Sequence, residues 1–480
     1  MTFILTRQSG HLYHRLDQNN GSRSGSPSST RRSKPSGPSK TQKQCLIYSV
    51  IIIALTIFFT YTILSYGGSH KTGTLDSIAL ALGLHKNIYV VIIDAGSTGS
   101  RVLALSFHQS VIDSSLKLEG ELFVSVEPGL SSFADQPKQG AEKIKELLEK
   151  AKEFVPKSAW SATPLALRAT AGLRLLPPEQ ADSLINEVKK VFAASPFHTT
   201  ASSVAIMDGA DEGLFSWVNV NFLSDKLFGS PDKTMAALDL GGGSTQITFA
   251  LEDARRLKKA SPDDVHTLNL FKQSVPVYTH SYLGLGIMAA RKAILSKGNP
   301  PNATDLKSEC INPIIKGKVF KYGGVSYTVQ GPDNPEIIQK RIKGSELAYE
   351  RIPVVRIKEC SAIITDYIRD QNVLKPTELL DYDISAFSYF YDRAIEVGLI
   401  DPFIGGSVTV QQFHTSAETV CYNPNVEQPF MCLDLMFITI LLEDGYGLKP
   451  ETKLKMLKSI DGHEVSWSLG MALNIIQNGL

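Results

Sequence analysis

IDAGSTGSRVLAL, from Ile93 to Leu105, and LDLGGGSTQITFA, from Leu238 to Ala250, decide how this chain folds. Each copy follows an apolar run (Tyr89–Ile93; Met235–Leu238), then places an Asp, a Gly/Ser/Thr turn and a second apolar run. Strand, tight turn and strand make a hairpin. The glycines let the backbone turn sharply and let a bulky anion approach main-chain N–H groups. The hydroxyls add donors, and an Asp at the strand end can hold a hydrated metal ion. A lone Gly-rich turn is common in any α/β protein. Two copies with Asp in the same place predict a pair of facing hairpins able to grip phosphates from both sides. No GxxxxGK[ST] occurs, and no helix directly follows either turn, so a P-loop is excluded.

Working outward, the 480 residues accommodate more than one domain. Residues 1–44 carry eight Lys or Arg and one acid, so the net charge of +1 conceals a body of about −6. That acidic body argues against a nucleic-acid partner. From Cys45 to Tyr66 there are 22 residues without a charge, long enough to span a bilayer as a helix. The long basic leader favours an uncleaved anchor with its N-terminal side cytoplasmic, leaving everything after Gly67 lumenal or extracellular. Cleavage near Gly68 is the alternative. Cys310, Cys360, Cys421 and Cys432 all lie beyond this segment. Four cysteines allow three pairings; Cys310–Cys360 with Cys421–Cys432 closes the shortest loops, and an oxidising compartment favours disulfides over free thiols. Asn302 heads the sequon Asn302-Ala303-Thr304 after two prolines and reads as an exposed glycosylation site. The sequon at Asn20 falls on the cytoplasmic side and should stay bare.

The expected organisation is a disordered basic tail (1–44), the anchor (45–66), a stalk (67–86), an N-terminal lobe (87–236, completed by 468–480) and a C-terminal lobe (237–467). Helices are expected over 141–155, 179–193, 210–222, 284–295 and 353–369, and strands over 165–169 and 204–207. The stretch 300–353, rich in Lys, Pro and Gly, reads as an insertion. Strands alternating with helices in both halves imply an α/β protein of two related lobes.

Asp208-Gly209-Ala210-Asp211-Glu212-Gly213 sits where a strand gives way to a helix. Asp208 suits a helix cap. Glu212, with an adjacent Gly keeping its surroundings open, is placed to act as a base on water. Arg168 and Thr170 end another strand; an ordinary structural Arg is the default reading there. Trp467 reads equally well as core, and Tyr389 and Tyr391 as core or as a shelf for a nucleobase. No Ser–His–Asp arrangement and no Cys/His cluster for zinc is suggested.

Taken together, DAGSTGSR, ATAGLRLL, DGADEGLFSWVNVNFL, LDLGGGSTQITF and WSLGMALN, in that order from Asp94 to Asn474, resemble the conserved regions of the apyrase family, the nucleoside triphosphate diphosphohydrolases. YTHSYLGLG and AFSYFYDRA look like its Golgi/ER nucleoside-diphosphatase branch, and the single N-terminal span agrees. Ser97-Thr98-Gly99-Ser100 stands where the surface members usually read Ser-Ser-His-Thr, which weakens the case for efficient ATP cleavage.

The resemblance implies the actin/hexokinase/Hsp70-like fold, two ribonuclease-H-like lobes with the active site in the cleft between them. It implies Glu212 as general base and Ser244 and Gln246 as holders of the attacking water. Asp94 and Asp239 would bind Mg2+ or Ca2+ largely through water, with Thr170 and Trp467 in its outer sphere. Phosphate would lie on Gly96, Ser97, Thr98, Gly99, Ser100 and Arg101, and on Gly241, Gly242, Gly243, Ser244 and Thr245. The substrate would be GDP, UDP or IDP, cleaved in the lumen in support of glycosylation. The rival readings are a surface or secreted apyrase, a kinase on the same fold, and a nucleotide-binding protein without turnover.

Overall fold

The repeat in the sequence is also a repeat of structure. The computed structural model describes residues 40–65, 87–110, 116–227, 229–252, 261–270, 273–341, 348–423 and 425–480. The expected tail before residue 40, the stalk and the Asn20 sequon lie outside the described residues. Of the described residues, 88–106 and those from 119 onward belong to one compact unit, and residues 40–65, 87, 107–110 and 116–118 to a second.

Two β-sheets, which lie in the first unit except for residues 107–109 and 116–118, are built alike. The first takes β1 (Ile88–Ala95), β2 (Ser100–Gln109), β3 (Leu116–Val126), β4 (Leu165–Ala169) and β5 (Val204–Ile206), in the order β3-β2-β1-β4-β5. β1 runs parallel to β4, with Asp94 opposite Arg168 and Ala95 opposite Ala169, and β4 parallel to β5. The second sheet takes β6 (Met235–Leu240), β7 (Ser244–Ala250), β8 (Val265–Leu270) and β9 (Gln273–Leu283). It omits β10 (Asp305–Lys307), β11 (Lys316–Tyr322), β12 (Val325–Gln330), β13 (Glu336–Arg341) and β14 (Tyr349–Val354). It then adds β15 (Asp383–Ser388), β16 (Gly406–Thr409) and β17 (Lys453–Met456). Its order is β16-β17-β15-β6-β7-β9-β8, so β9-β7-β6-β15-β17 repeats the order of the first sheet. β6 pairs antiparallel with β7 and parallel with β15, placing Leu240 opposite Ser388. This is the expected α/β architecture of two similar lobes.

Burial explains why the hairpin strands read as unbroken apolar runs. Val90 to Ile93 and Met235 to Leu240 are central strands covered on both faces, where alternation is not needed. The first sheet is covered by α2 (Pro137–Phe154), the one-turn α3 (Ala171–Arg174) and α4 (Pro178–Ala193). α2 turns Ile144, Leu147, Leu148 and Ala151 inward, and starts one turn earlier than the periodicity suggests because Pro137 occupies its first turn. Next, α5 (Gly209–Leu223) leaves the first sheet and packs on β6, β7 and β9. Its close approach depends on Gly213, where a Cβ would meet the hydroxyls of Thr279 and Thr248. The C-terminal α11 (Trp467–Asn478) packs on α5 and β1, with Gly470 against the backbone of Phe215.

The remaining helices are α6 (Ile287–Ser296), α7 (Ile357–Asp370), α8 (Tyr389–Glu396), α9 (Val410–Cys421) and α10 (Met431–Ile440), which continues as a π-turn over Leu441–Gly445. Two expected helix starts move inward. Gly284 turns at φ +94°, so the helix expected from 284 begins at Ile287; Pro353 and Val354 end β14, so the helix expected from 353 begins at Ile357. The lobe boundary expected at 236/237 falls inside β6. The region 300–353 is an excursion of β10–β12 plus the hairpin β13–β14, outside the main sheets. Cys310–Cys360 and Cys421–Cys432 are disulfide-bonded, the shortest-loop pairing. A short hairpin of β18 (Ser459–Ile460) and β19 (His463–Glu464) precedes α11.

In the second unit, α1 (Lys40–Ser65) covers the expected anchor, and its described side chains, Gln44 and residues 47–58, are exposed. Among the described residues no helix is long and apolar enough to cross a membrane.

Candidate active site

Both hairpin turns are closed by the same bond: Gly96 N–H donates to Gly99 O at 3.0 Å, and Gly241 N–H to Ser244 O at 3.0 Å. The carbonyls of each loop are then tied from behind. Gly129 N–H donates to Thr98 O, while Ile287, Met288 and Ala289 at the start of α6 donate to Gly241 O and Gly242 O. A helix start normally leaves its first N–H groups without partners; here they anchor the second loop. Among the described residues the N–H groups of Ser97, Thr98, Gly242 and Gly243 have no backbone acceptor. The loops approach so closely that a Cβ on Gly242 would lie 2.3 Å from Ser97 Oγ. The result is a cleft of about 350 Å³ lined by Gly96, Ser97, Thr98, Gly241, Gly242, Gly243 and Ser244.

At its floor stands Glu212, in the first turn of α5 and 7% exposed. Arg174 Nη2 donates to its Oε2 at 2.5 Å, and Gln246 Nε2 reaches the same oxygen at 3.2 Å. Gln246 Nε2 also faces Ser244 Oγ at 2.8 Å and Ser281 Oγ at 2.9 Å. The two amide hydrogens are shared among these three oxygens. Ser244 Oγ already accepts from Gln246, with Arg174 Nη2 at 3.4 Å, which leaves its O–H free to donate elsewhere. Gln246 Oε1 is buried without a partner among the described residues. Burial pushes the Glu212 carboxyl up to about 8; Arg174 opposes the shift, and Asp239 and Asp94 add to it. In its ionised form such a group is a stronger base toward water than an ordinary carboxylate.

The two hairpin aspartates flank this floor but are held differently. Asp94 Oδ2 meets Arg101 Nη1 at 3.3 Å, while Oδ1 is buried without a partner. Burial raises Asp94 to about 6, against Arg101 and with the charge of Asp239. Asp239 accepts from Ser388 Oγ at 2.7 Å and Ser216 Oγ at 3.3 Å, and burial raises it too, against those bonds. Among the described residues no three or more His, Cys, Asp or Glu cluster as direct metal ligands. Two carboxylates with a vacant buried oxygen, ringed by hydroxyls, suit a hydrated divalent cation rather than a fully protein-ligated one. Thr170, at the cap of α3, and Trp467, opening α11, line the same cleft.

Some expected residues sit elsewhere. Ser100 and Thr245 are buried strand residues that do not line the cleft, and the Thr245 hydroxyl is taken by Asp239 O and Tyr446 Oη. Gly99 closes its turn rather than lining the cleft. Arg101 and Tyr389 line it. Tyr391 also borders it but is 3% exposed, with its hydroxyl donating to Pro402 O. Asp208 caps α5 by accepting from Ala210 N–H. Arg168 is occupied by the carbonyls of Leu167, Ser202 and Ser203, the ordinary structural role. The sequence reading missed Arg174, Ser281, Ser216 and Ser388. It also missed Asp392, Lys458 and Glu464 on the rim; Asp392 lies inside AFSYFYDRA without being singled out there, and Lys458 and Glu464 stand in no motif. Asn302 is exposed at φ +62°.

Residues 83–479 match the sequence pattern of the GDA1/CD39 (nucleoside phosphatase) family. The human nucleoside diphosphate phosphatase ENTPD5 is 40% identical over 399 residues, covering 82% of this chain and 88% of that protein. Mouse ectonucleoside triphosphate diphosphohydrolase 6 is 37% identical over 431 residues, covering 88% and 90%. Among solved structures, a nucleoside triphosphate hydrolase from Neospora caninum superposes with a TM-score of 0.52 at 14% identity, covering 84% of this chain and 96% of that one. That likeness supports the two-lobed fold.

Proposed function

The chain belongs to the GDA1/CD39 (nucleoside phosphatase) family, and on that premise we propose that it hydrolyses nucleoside diphosphates by direct attack of water activated by Glu212. The observation that carries this is the contact of Glu212 with Arg174 and Gln246, beside Ser244, on the floor between two phosphate-sized loops. The name of the human relative specifies nucleoside diphosphates.

The terminal phosphoryl group rests on the N–H groups of Ser97, Thr98, Gly242 and Gly243, with Arg101 beside them. Such donors stabilise charge that grows on the phosphoryl oxygens in the transition state. Gln246 Oε1 and Glu212 hold the attacking water. As its oxygen bonds to the terminal phosphorus, its proton passes to Glu212, and the bond from phosphorus to the bridging oxygen breaks. That oxygen's electron pair leaves with the nucleoside monophosphate. No protein nucleophile is needed, so no phosphoenzyme forms.

The cleft lining carries Asp94, Glu127, Glu212, Asp239, Asp392 and Glu464 against Arg101 and Lys458. An acidic cleft repels a polyanion unless a cation comes with it. A divalent cation, Mg2+ or Ca2+, held through water by Asp94 and Asp239, would supply that neutralisation. Thr170 and Trp467 would border its hydration shell, and Tyr389 would support the base.

The uncharged stretch 45–66 and the basic leader support a single N-terminal membrane anchor with the catalytic residues lumenal, and the resemblance of YTHSYLGLG and AFSYFYDRA to the Golgi/ER branch supports those compartments. There the substrates would be GDP, UDP and IDP released by sugar transfer. The test is phosphate release by the full-length protein in detergent from GDP, UDP, IDP, ADP and ATP, with Mg2+, Ca2+ or chelator. Cation-dependent turnover strongest on GDP, UDP or IDP is expected. Equal turnover of ATP would instead indicate an apyrase.

A further inference from the structure

We infer that Ser388 is a positioning residue that orients the Asp239 carboxylate toward the cation, an inference that rests on the function proposed above. Three observations converge on this serine. Its backbone adopts φ +58° with ψ −128°, the mirror image of an ordinary extended residue and a conformation natural to glycine. Strain of that kind persists only where the surroundings over-determine it, and it concentrates at functional sites. Second, Ser388 is the N-cap of α8, where a serine hydroxyl ordinarily accepts from the helix's first N–H groups. It makes no such bond. Third, the hydroxyl instead donates to Asp239 Oδ1 at 2.7 Å.

The pseudo-repeat sharpens the argument. Ser388 faces Leu240, the residue after Asp239, across the parallel pair β6–β15. The matching residue across β1–β4 is Ala169, facing Ala95, the residue after Asp94. Alanine has no hydroxyl to offer, and Asp94 is held by the Arg101 guanidinium instead. The two aspartates are therefore not equivalent. Arg101 partly neutralises Asp94. Ser388 and Ser216 hold one oxygen each of Asp239 without a countercharge in contact, so the carboxylate is fixed in one orientation toward the place the cation would occupy. Ser388 also joins β15 to Tyr389, so the strained residue sits between the cation end of the cleft and its aromatic rim.

The test is to titrate Ca2+ or Mg2+ into the full-length protein in detergent, with a non-hydrolysable nucleoside diphosphate present, reading calorimetry and thermal unfolding. Wild type is compared with Ser388→Ala, Ser388→Gly and Ser216→Ala. Losing a hydrogen bond to a charged group should raise the cation midpoint roughly tenfold in both Ser388 variants. Ser388→Gly should unfold at a higher temperature than Ser388→Ala, because glycine relieves the strain. Ser216→Ala leaves the strained backbone untouched and should shift the midpoint in the same direction by less, its bond being longer. A wild-type midpoint in both Ser388 variants would overturn the inference, as would wild-type binding restored by glycine alone. If wild type itself shows no cation effect in either readout, the proposed function fails, and the inference with it.

Discussion

Glu212 is a carboxylate set between opposing forces: burial drives it toward the neutral form, and Arg174 holds it toward the charged one. Only the charged form can accept a proton from water. With Glu212 raised to about 8, kcat/KM at limiting cation should climb as pH rises through that region and level off above it. Arg174→Gln removes the opposing charge and should move this limb to higher pH while lowering the plateau, as a pH–rate profile would show. A limb left in place by the variant would argue that Glu212 is not the titrating base. Arg174 lies inside ATAGLRLL, but nothing in the motif distinguishes its guanidinium from an exposed one. Only the single helical turn Ala171–Arg174 carries the guanidinium to Glu212, and that turn is too short for periodicity to reveal.

At the scale of elements, the two hairpins work because other elements hold them from behind. Gly286 shows the tolerance: a Cβ there would lie 2.3 Å from Ser244 N and 2.4 Å from Gly243 N, both backbone. Gly286→Ala should cost about 1–3 kcal/mol of stability. It should also lower kcat/KM about 100-fold by displacing the loop; denaturant unfolding and steady-state rates read the two separately. By contrast Cys421→Ser, at a residue that does not line the cleft, should destabilise by roughly 2–4 kcal/mol with KM for nucleotide unchanged. The hairpins and most helices were legible because they follow from local pattern and turn chemistry, whereas the sequence left three cysteine pairings open and the fold selects the shortest-loop one. The matched sheet order β3-β2-β1-β4-β5 and β9-β7-β6-β15-β17 was legible only as a repeated motif, since strand pairing across long separations leaves no local trace. The same holds for α5, whose sequence adjoins the first sheet while its nearly all-round burial reflects packing on the second. Ser388 and Ser216 look like any serine until the fold brings both to Asp239.

For the whole molecule, charge and topology carry the argument. The acidic cleft implies a cation, and the proposed anchor implies a lumenal catalytic unit. Asn302, exposed beyond the anchor, should then carry a glycan. Glycosidase treatment of protein from secretory-pathway membranes should increase its gel mobility, and Asn302→Gln should abolish that shift. Absence of a glycan would count against the proposed topology. The central claim is that water attacks a nucleoside diphosphate with Glu212 as the base. Its most direct measurement is phosphate release from GDP and UDP by wild type and Glu212→Gln at saturating cation, with nucleotide binding measured on both. The account predicts that binding survives while turnover falls by about 10²–10⁴-fold. Turnover persisting in Glu212→Gln would contradict it, as would a wild type that binds nucleotide and releases no phosphate.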